Sequence, residues 1–342
     1  MKGNLGISFL NKNQDNSNID DILKTYDNDY KELNEQEYHW LRTHEQKMWG
    51  RYLEFRKKFR YDANEERISN FPIYMVIEPS SICNLKCIMC FQCDEKLEQK
   101  RGIMDILLWK KVIDEASEKG CLALTIAGRG EPLVNKNIVE MLDYLKGKFL
   151  EIKINTNGIL MNDDIIRSIL RNDINVVFSA EGSNETEYSS IRVGGDFNKL
   201  VANIKRFSEI KESEFQGSLS RTRVCGVASD KVDIDRYYDF WEPLVDEVAI
   251  TEYEERKDTY NNDVNSEKRR CARLWQRIYV WWDGLISPCD VDYLNSLTIG
   301  NINDDSIEKI WNGDLIKKLR LQHHEGRREH IIPCDRCGFT DI

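Results

Sequence analysis

Seven of the ten cysteines in this 342-residue chain fall into two groups whose spacing suits metal ligation. The first is Cys83-Asn-Leu-Lys-Cys87-Ile-Met-Cys90. Three thiolates on one short loop can bind three irons of a cubane cluster and leave the fourth iron open to a small molecule. Cys93 is near enough in sequence to supply a fourth thiolate, and zinc is the simpler alternative. The second group is Cys271, Cys289, Cys334 and Cys337, the last two as Cys-x2-Cys. Four thiolates suit a fully protein-ligated iron–sulfur cluster or a structural zinc ion. Cys93, Cys121 and Cys225 read as packing residues.

The elements that must position these ligands follow an alternating pattern. Pro72 breaks an upstream helix, and apolar, β-branched runs predict strands at 73–77, 122–126, 151–155, 175–179, 222–227 and 247–251. Helical spacing fills the gaps at 105–118, 137–146, 163–170, 197–211 and 233–240, with Leu108, Val112, Ile113 and Ala116 forming one apolar stripe. Such alternation predicts a parallel sheet with right-handed crossovers, either open or partly closed into a barrel. Chemistry is then expected at the carboxyl ends of the strands, and the first cysteine group directly follows the first strand.

Three regions are expected. Residues 1–70 read as a helical extension, with Tyr38, Leu41, Met48, Leu53 and Phe59 at helical spacing. Residues 71–256 carry the alternating strands and helices. Residues 257–342 begin with a polar linker, then a hairpin around Asp283-Gly284 and a helix near 307–321.

Composition limits the partners. Hydrophobic residues make up 41% and charged residues 32%, and no apolar run approaches the roughly 20 residues of a membrane span. The net charge of −10 disfavours nonspecific binding to nucleic acid or to an anionic membrane. The Asn- and Asp-rich start lacks the pattern of a signal peptide, so a cytoplasmic protein is expected. In that reducing compartment, clustered cysteines hold metals more often than they form disulfides.

The spacing Cys83-x3-Cys87-x2-Cys90 at the end of a first strand resembles the radical S-adenosylmethionine (SAM) superfamily. The resemblance implies a 4Fe–4S cluster whose open iron is chelated by SAM, and one-electron cleavage to a 5′-deoxyadenosyl radical that removes hydrogen from a substrate carbon. Gly128-Arg129-Gly130-Glu131-Pro132 resembles the family's GGEP loop, with Arg129 in place of the commoner Gly. By the same resemblance Thr156 and Asn157 after the third strand, and Ser179 and Glu181 after the fourth, contact SAM. Ser179 would bond the SAM carboxylate or ribose, and Arg192 matches an arginine that pairs with that carboxylate. Met89 departs from the usual aromatic against adenine, and Glu181 stands where Asp is more usual.

Cys271-x12-Gly284-x4-Cys289 resembles the opening motif of the SPASM extension. With Cys334 and Cys337 it implies the shorter "twitch" form, holding one auxiliary 4Fe–4S cluster. The layout is similar to the aminoglycoside-pathway cyclitol dehydrogenases. The fold implied is α/β, a (β/α)6 partial TIM barrel with an N-terminal helical extension and a small C-terminal twitch/SPASM-like iron–sulfur domain. The expected reaction is dehydrogenation of a small polar alcohol such as a sugar or cyclitol, supplied with electrons by a flavodoxin- or ferredoxin-type reductant. The alternatives are a peptide maturase (oxidation, thioether crosslink or epimerisation) and a sugar epimerase or lyase. A non-catalytic iron–sulfur or zinc scaffold is disfavoured, because it has no use for SAM-binding loops. Glu252, Tyr253, Glu254 and Arg256, after the sixth strand, are the candidate catalytic residues facing the substrate radical.

Overall fold

Ten strands form one sheet in the computed structural model, which describes residues 6–9, 17–23, 33–61, 67–93, 101–251 and 259–338. In chain order they are β1 (Gly6–Phe9), β2 (Tyr74–Ile77), β3 (Ala123–Ile126), β4 (Glu151–Thr156) and β5 (Asn175–Ser179). Then come β6 (Thr222–Val227), β7 (Glu247–Thr251), β8 (Arg277–Val280), β9 (Leu285–Ser287) and β10 (Gly300–Asn301). Strands β2 to β7 lie side by side in sequence order, every pair parallel. With helices in each crossover, this is the expected partial-barrel α/β core.

The alternation along the strands sorts their side chains. On β4, Ile152 and Ile154 join the main core beneath the helices, which leaves Glu151, Lys153 and Asn155 on the inner face. On β6, Val224 takes the helix side and Arg223 and Cys225 the inner one. Helix Ile106–Glu118 starts where Asp105 caps Leu107 and buries Trp109, Val112, Ile113 and Ala116. Each large side chain buried in this way stabilises the barrel wall by about 1.5–3 kcal/mol.

Three local expectations change. The single helical run expected over 38–59 is two helices, Glu35–Thr43 and Gln46–Tyr61, because His44 takes an extended backbone. The helix expected near 307–321 divides into Ile307–Trp311 and Asp314–His324, with Asn312-Gly313 between them. The N-terminal region also contributes a strand, since β1 pairs antiparallel with β7. That strand owes its existence to the open edge of β7, a partner more than 200 positions away that no local pattern announces.

The two helices close the end of the barrel where the strands begin. Trp40, Tyr52, Leu53 and Phe55 pack there with Ile73 and Ala123, and the rings of Trp40 and Tyr52 stack with centroids 3.8 Å apart. Between helices and strands lies a cavity of about 260 Å³ lined by His39, Glu151, Lys153, Arg223, Glu247 and Arg277, among others. At the other sheet edge β8 adds parallel to β2, and the expected hairpin continues as β9 and β10. Cys271 and Cys289 therefore flank strands that extend the barrel's own sheet. No helix among the described residues is long and apolar enough to cross a membrane.

Candidate functional site

The loop leaving β2 carries Cys83, Cys87 and Cys90, and backbone donors already address its sulfurs. The Leu85 N–H points to Cys83 Sγ at 3.4 Å and the Gln92 N–H to Cys90 Sγ at 3.5 Å. The loop is braced from outside, with Lys86 N–H donating to the Val193 carbonyl (2.9 Å) and Ile88 N–H to the Ile191 carbonyl (3.1 Å). Burial pushes the Cys83 thiol up to about 11 and that of Cys90 to about 12. It raises Cys87 as well, against the pull of the Arg192 guanidinium. Bare thiols are favoured here, so ligation must displace their protons. Cys93 does not join them. It is exposed rather than packed, and its thiol donates to the Cys87 carbonyl at 3.2 Å.

The Gly128–Glu131 loop is fitted to this one. A Cβ on Gly130 would lie 2.5 Å from the Ser80 and Ile82 carbonyl oxygens, so only glycine permits the approach. The Glu131 N–H then donates to the Ile82 carbonyl at 2.9 Å. A Cβ on Gly128 would meet Glu78 at 2.5 Å. Glu131 itself is turned to the protein, accepting from Thr156 Oγ1 (2.6 Å), Asn157 N–H (2.8 Å) and Leu133 N–H (3.1 Å). Burial nevertheless raises its carboxyl above the usual range. Asn157 Nδ2 in turn donates to Asn84 Oδ1 at 2.9 Å, so Thr156 and Asn157 tie the end of β4 to the cysteine loop.

Arg129 makes a buried ion pair with Glu78, through Nη2 at 2.9 Å and Nε at 3.1 Å, while its backbone N–H donates to the same carboxylate at 2.6 Å. Its guanidinium lies 4.1 Å from the Trp281 ring centroid and donates to Asn295 Oδ1 at 3.3 Å. Rather than projecting into an open pocket, it joins the barrel to the C-terminal region.

Arg192 pairs with Glu181 through both Nε and Nη2, the latter at 2.8 Å, and its Nη1 stands 3.6 Å from Cys87 Sγ. The resemblance implies SAM contacts for both residues; in this structure they meet each other beside the three cysteines. Ser179 ends β5 half-buried on the inner face, in register with Cys225. Beside Glu181, Ile88, Met89, Ile191 and Val227 line a cavity of about 380 Å³ whose remaining wall is polar, from Ser229, Asp230 and Lys231. Met89 lines it where the resemblance leads one to expect an aromatic.

The second cysteine group assembles from three places in the sequence. Cys271, Cys289, Cys334 and Cys337 line one cavity, together with Arg273, His323 and Arg328. Arg328 is 1% exposed and donates to the carbonyls of Cys334 (2.8 Å), Cys337 (2.6 Å) and Arg269 (3.4 Å), holding the Cys-x2-Cys turn from inside. Burial raises the Cys289 and Cys334 thiols. Among the described residues, no group of three or more His, Cys, Asp or Glu is placed to hold a single metal ion. Four thiols lining one cavity suit a fully protein-ligated iron–sulfur cluster. A buried cation beside four acidic ligands fits the anionic charge of such a cluster.

Glu252, Tyr253, Glu254 and Arg256 lie outside the described residues. Sequence reasoning passed over Glu78, Asn84, Tyr293, His323 and Arg328. Two had a signal: Glu78 lies at the carboxyl end of the first barrel strand and Asn84 directly follows Cys83; the others reach the sites through tertiary contacts.

Comparisons with known proteins agree with this geometry. Residues 77–214 match the model of the Radical SAM superfamily, and residues 271–338 match SPASM, an iron–sulfur cluster-binding domain. The chain is 27% identical over 299 residues to the antilisterial bacteriocin subtilosin biosynthesis protein AlbA of Bacillus subtilis (strain 168). That match covers 79% of this chain and 66% of AlbA, so the chain spans a little under two thirds of this relative. Among solved structures, BtrN in complex with AdoMet and 2-DOIA superposes with a TM-score of 0.54 at 17% identity, covering 79% of this chain and 94% of BtrN. Streptococcus suis SuiB bound to precursor peptide SuiA gives 0.54 at 18% identity, covering 77% of this chain and 70% of SuiB. At such identities the two structures speak for the fold alone.

Proposed function

The chain belongs to the radical SAM superfamily and carries a SPASM iron–sulfur domain; on that premise we propose that it oxidises its substrate by radical hydrogen abstraction. When bound, the clusters and SAM supply a one-electron donor, a hydrogen-abstracting 5′-deoxyadenosyl radical and an electron acceptor. The residues here hold and shield them. Cys83, Cys87 and Cys90 would hold three irons of the first cluster, and the Gly128–Glu131 loop is fitted closely against the loop that carries them. Glu181 and Arg192 offer one acceptor and one donor pair for the amino acid end of SAM, and the Met89 cavity takes the adenine. Cys271, Cys289, Cys334 and Cys337 hold the auxiliary cluster. The carrying observation is this pairing of a three-cysteine loop at the end of β2 with a cavity lined by four more cysteines.

A peptide is the substrate class best supported, because the match to a protein named for bacteriocin biosynthesis covers 79% of this chain. This reverses the order in which the sequence placed peptides and small alcohols. A small polar alcohol is the second reading, on the observation that Asn155, on the inner face of β4, has a buried Oδ1 with no hydrogen-bond partner. One experiment separates the two. Reduced, reconstituted protein is incubated with SAM and either a short peptide encoded beside its gene or a panel of sugars and cyclitols, and 5′-deoxyadenosine and product mass are followed. A loss of two mass units on the peptide supports the first reading, and the same loss on an alcohol the second. Absence of 5′-deoxyadenosine under every condition refutes both.

A further inference from the structure

We infer that His323 donates an N–H hydrogen bond to a sulfur of the auxiliary cluster and thereby raises that cluster's reduction potential. The inference rests on the reading of the four-cysteine cavity as an iron–sulfur site. His323 lies near the end of helix Asp314–His324 and is 1% exposed. Both of its ring nitrogens are buried without a hydrogen-bond partner. A buried imidazole carries at least one N–H in either tautomer, and leaving it unmet is costly. Such an orphan persists only where something absent from the protein atoms receives it.

The surroundings say what that is. His323 lines the cavity of Cys271, Cys289, Cys334 and Cys337, so the acceptors on offer are sulfurs. Water is a poor alternative, because Ala272, Leu274, Trp275, Leu319 and Ile331 form an apolar cluster that packs against Cys271 and Cys334. The Arg328 guanidinium on the same wall is committed to the Cys334 and Cys337 carbonyls. His323 is thus left to address the cluster itself. An N–H donated to sulfur stabilises the more negative, reduced form, and hydrogen bonds to the sulfurs are one of the protein's levers on cluster potential. A raised potential makes this cluster the better electron acceptor, which is what an oxidative reaction asks of it.

The test compares wild type with His323→Leu in redox titrations followed by electron paramagnetic resonance. The expected result is a more negative midpoint for the auxiliary signal only, with the first cluster's midpoint and the iron content unchanged. An unchanged auxiliary midpoint at full iron content overturns the inference. Should His323→Leu lose iron, wild-type protein labelled with 15N-histidine decides by pulsed resonance. Weak 15N coupling to the auxiliary cluster supports the hydrogen bond; no coupling, or the strong coupling of a direct iron ligand, overturns it. Wild-type protein with a single iron–sulfur signal would refute the cluster at this site, and the inference with it, before any variant is made.

Discussion

The ring of Phe91, which follows Cys90 directly, stacks on the ring of Tyr293 with centroids 5.1 Å apart and planes 10° from parallel. Tyr293 is four positions beyond Cys289 and is fully buried, and it also packs near-perpendicular to Tyr260 with centroids 5.1 Å apart. The two cysteine sites are therefore joined by an aromatic contact that begins one residue from a ligand of the first.

Removing the stack should loosen the first loop from the C-terminal region. Offset aromatic pairs contribute about 0.5–1.5 kcal/mol beyond their burial. Tyr293→Leu is expected to keep iron content near wild type while 5′-deoxyadenosine forms without matching product. Unaltered coupling of the two products, measured by chromatography of one reaction, would show that the contact is only structural.

The two cysteine sets should fail differently. Cys83→Ala, Cys87→Ala or Cys90→Ala leaves the open cluster short of a ligand and is expected to abolish SAM cleavage. Cys271→Ala or Cys289→Ala should lower iron per chain and product formation while some SAM cleavage survives. Iron analysis with a 5′-deoxyadenosine assay checks both, and a Cys271→Ala variant with wild-type turnover would remove the auxiliary role.

Arg129 and Glu78 form the next case. Their side chains are 3% and 0% exposed, so removing one partner strands the other's charge in the interior. Arg129→Gly, which installs the family's commoner residue, is expected to destabilise the fold by about 3–5 kcal/mol. Arg129→Gly combined with Glu78→Gln should recover part of that loss, because no buried charge then stands alone. Thermal unfolding of the single and double variants measures the difference; additive losses would mean the pair is not coupled.

His39 predicts a pH effect far from the cysteines. Burial, assisted by the nearby Arg221, lowers its imidazole to about 4. The unfolded chain binds this proton near pH 6.5, so the native state is disfavoured progressively as pH falls from there toward 4. The contribution is complete above pH 6.5. His39→Gln should flatten the fall of Tm across that window, and an unchanged slope would show that His39 titrates normally.

Much of this was legible beforehand where local chemistry dictates geometry. The six barrel strands follow from alternating apolar periodicity, and 175–179, 222–227 and 247–251 coincide with β5, β6 and β7. The hairpin at Asp283-Gly284 was readable because Gly284 takes a positive φ of 86°, a conformation that glycine adopts without strain. Arg192 shows where local pattern stops. Its motif placed it near SAM, and no pattern could show that Glu181 accepts its guanidinium in the structure.

The sequence by itself determined which residues can ligate iron, since thiolate spacing on one loop is a local property of the chain. It also determined the parallel core, since strand and helix periodicity are local too. Only the tertiary structure decided that β8 joins the barrel sheet beside β2, that Arg129 closes on Glu78 and Trp281, and that His323 looks into the four-cysteine cavity. These are contacts between segments far apart in the chain. They depend on which buried polar group finds which partner once water is excluded, and no periodicity encodes that pairing.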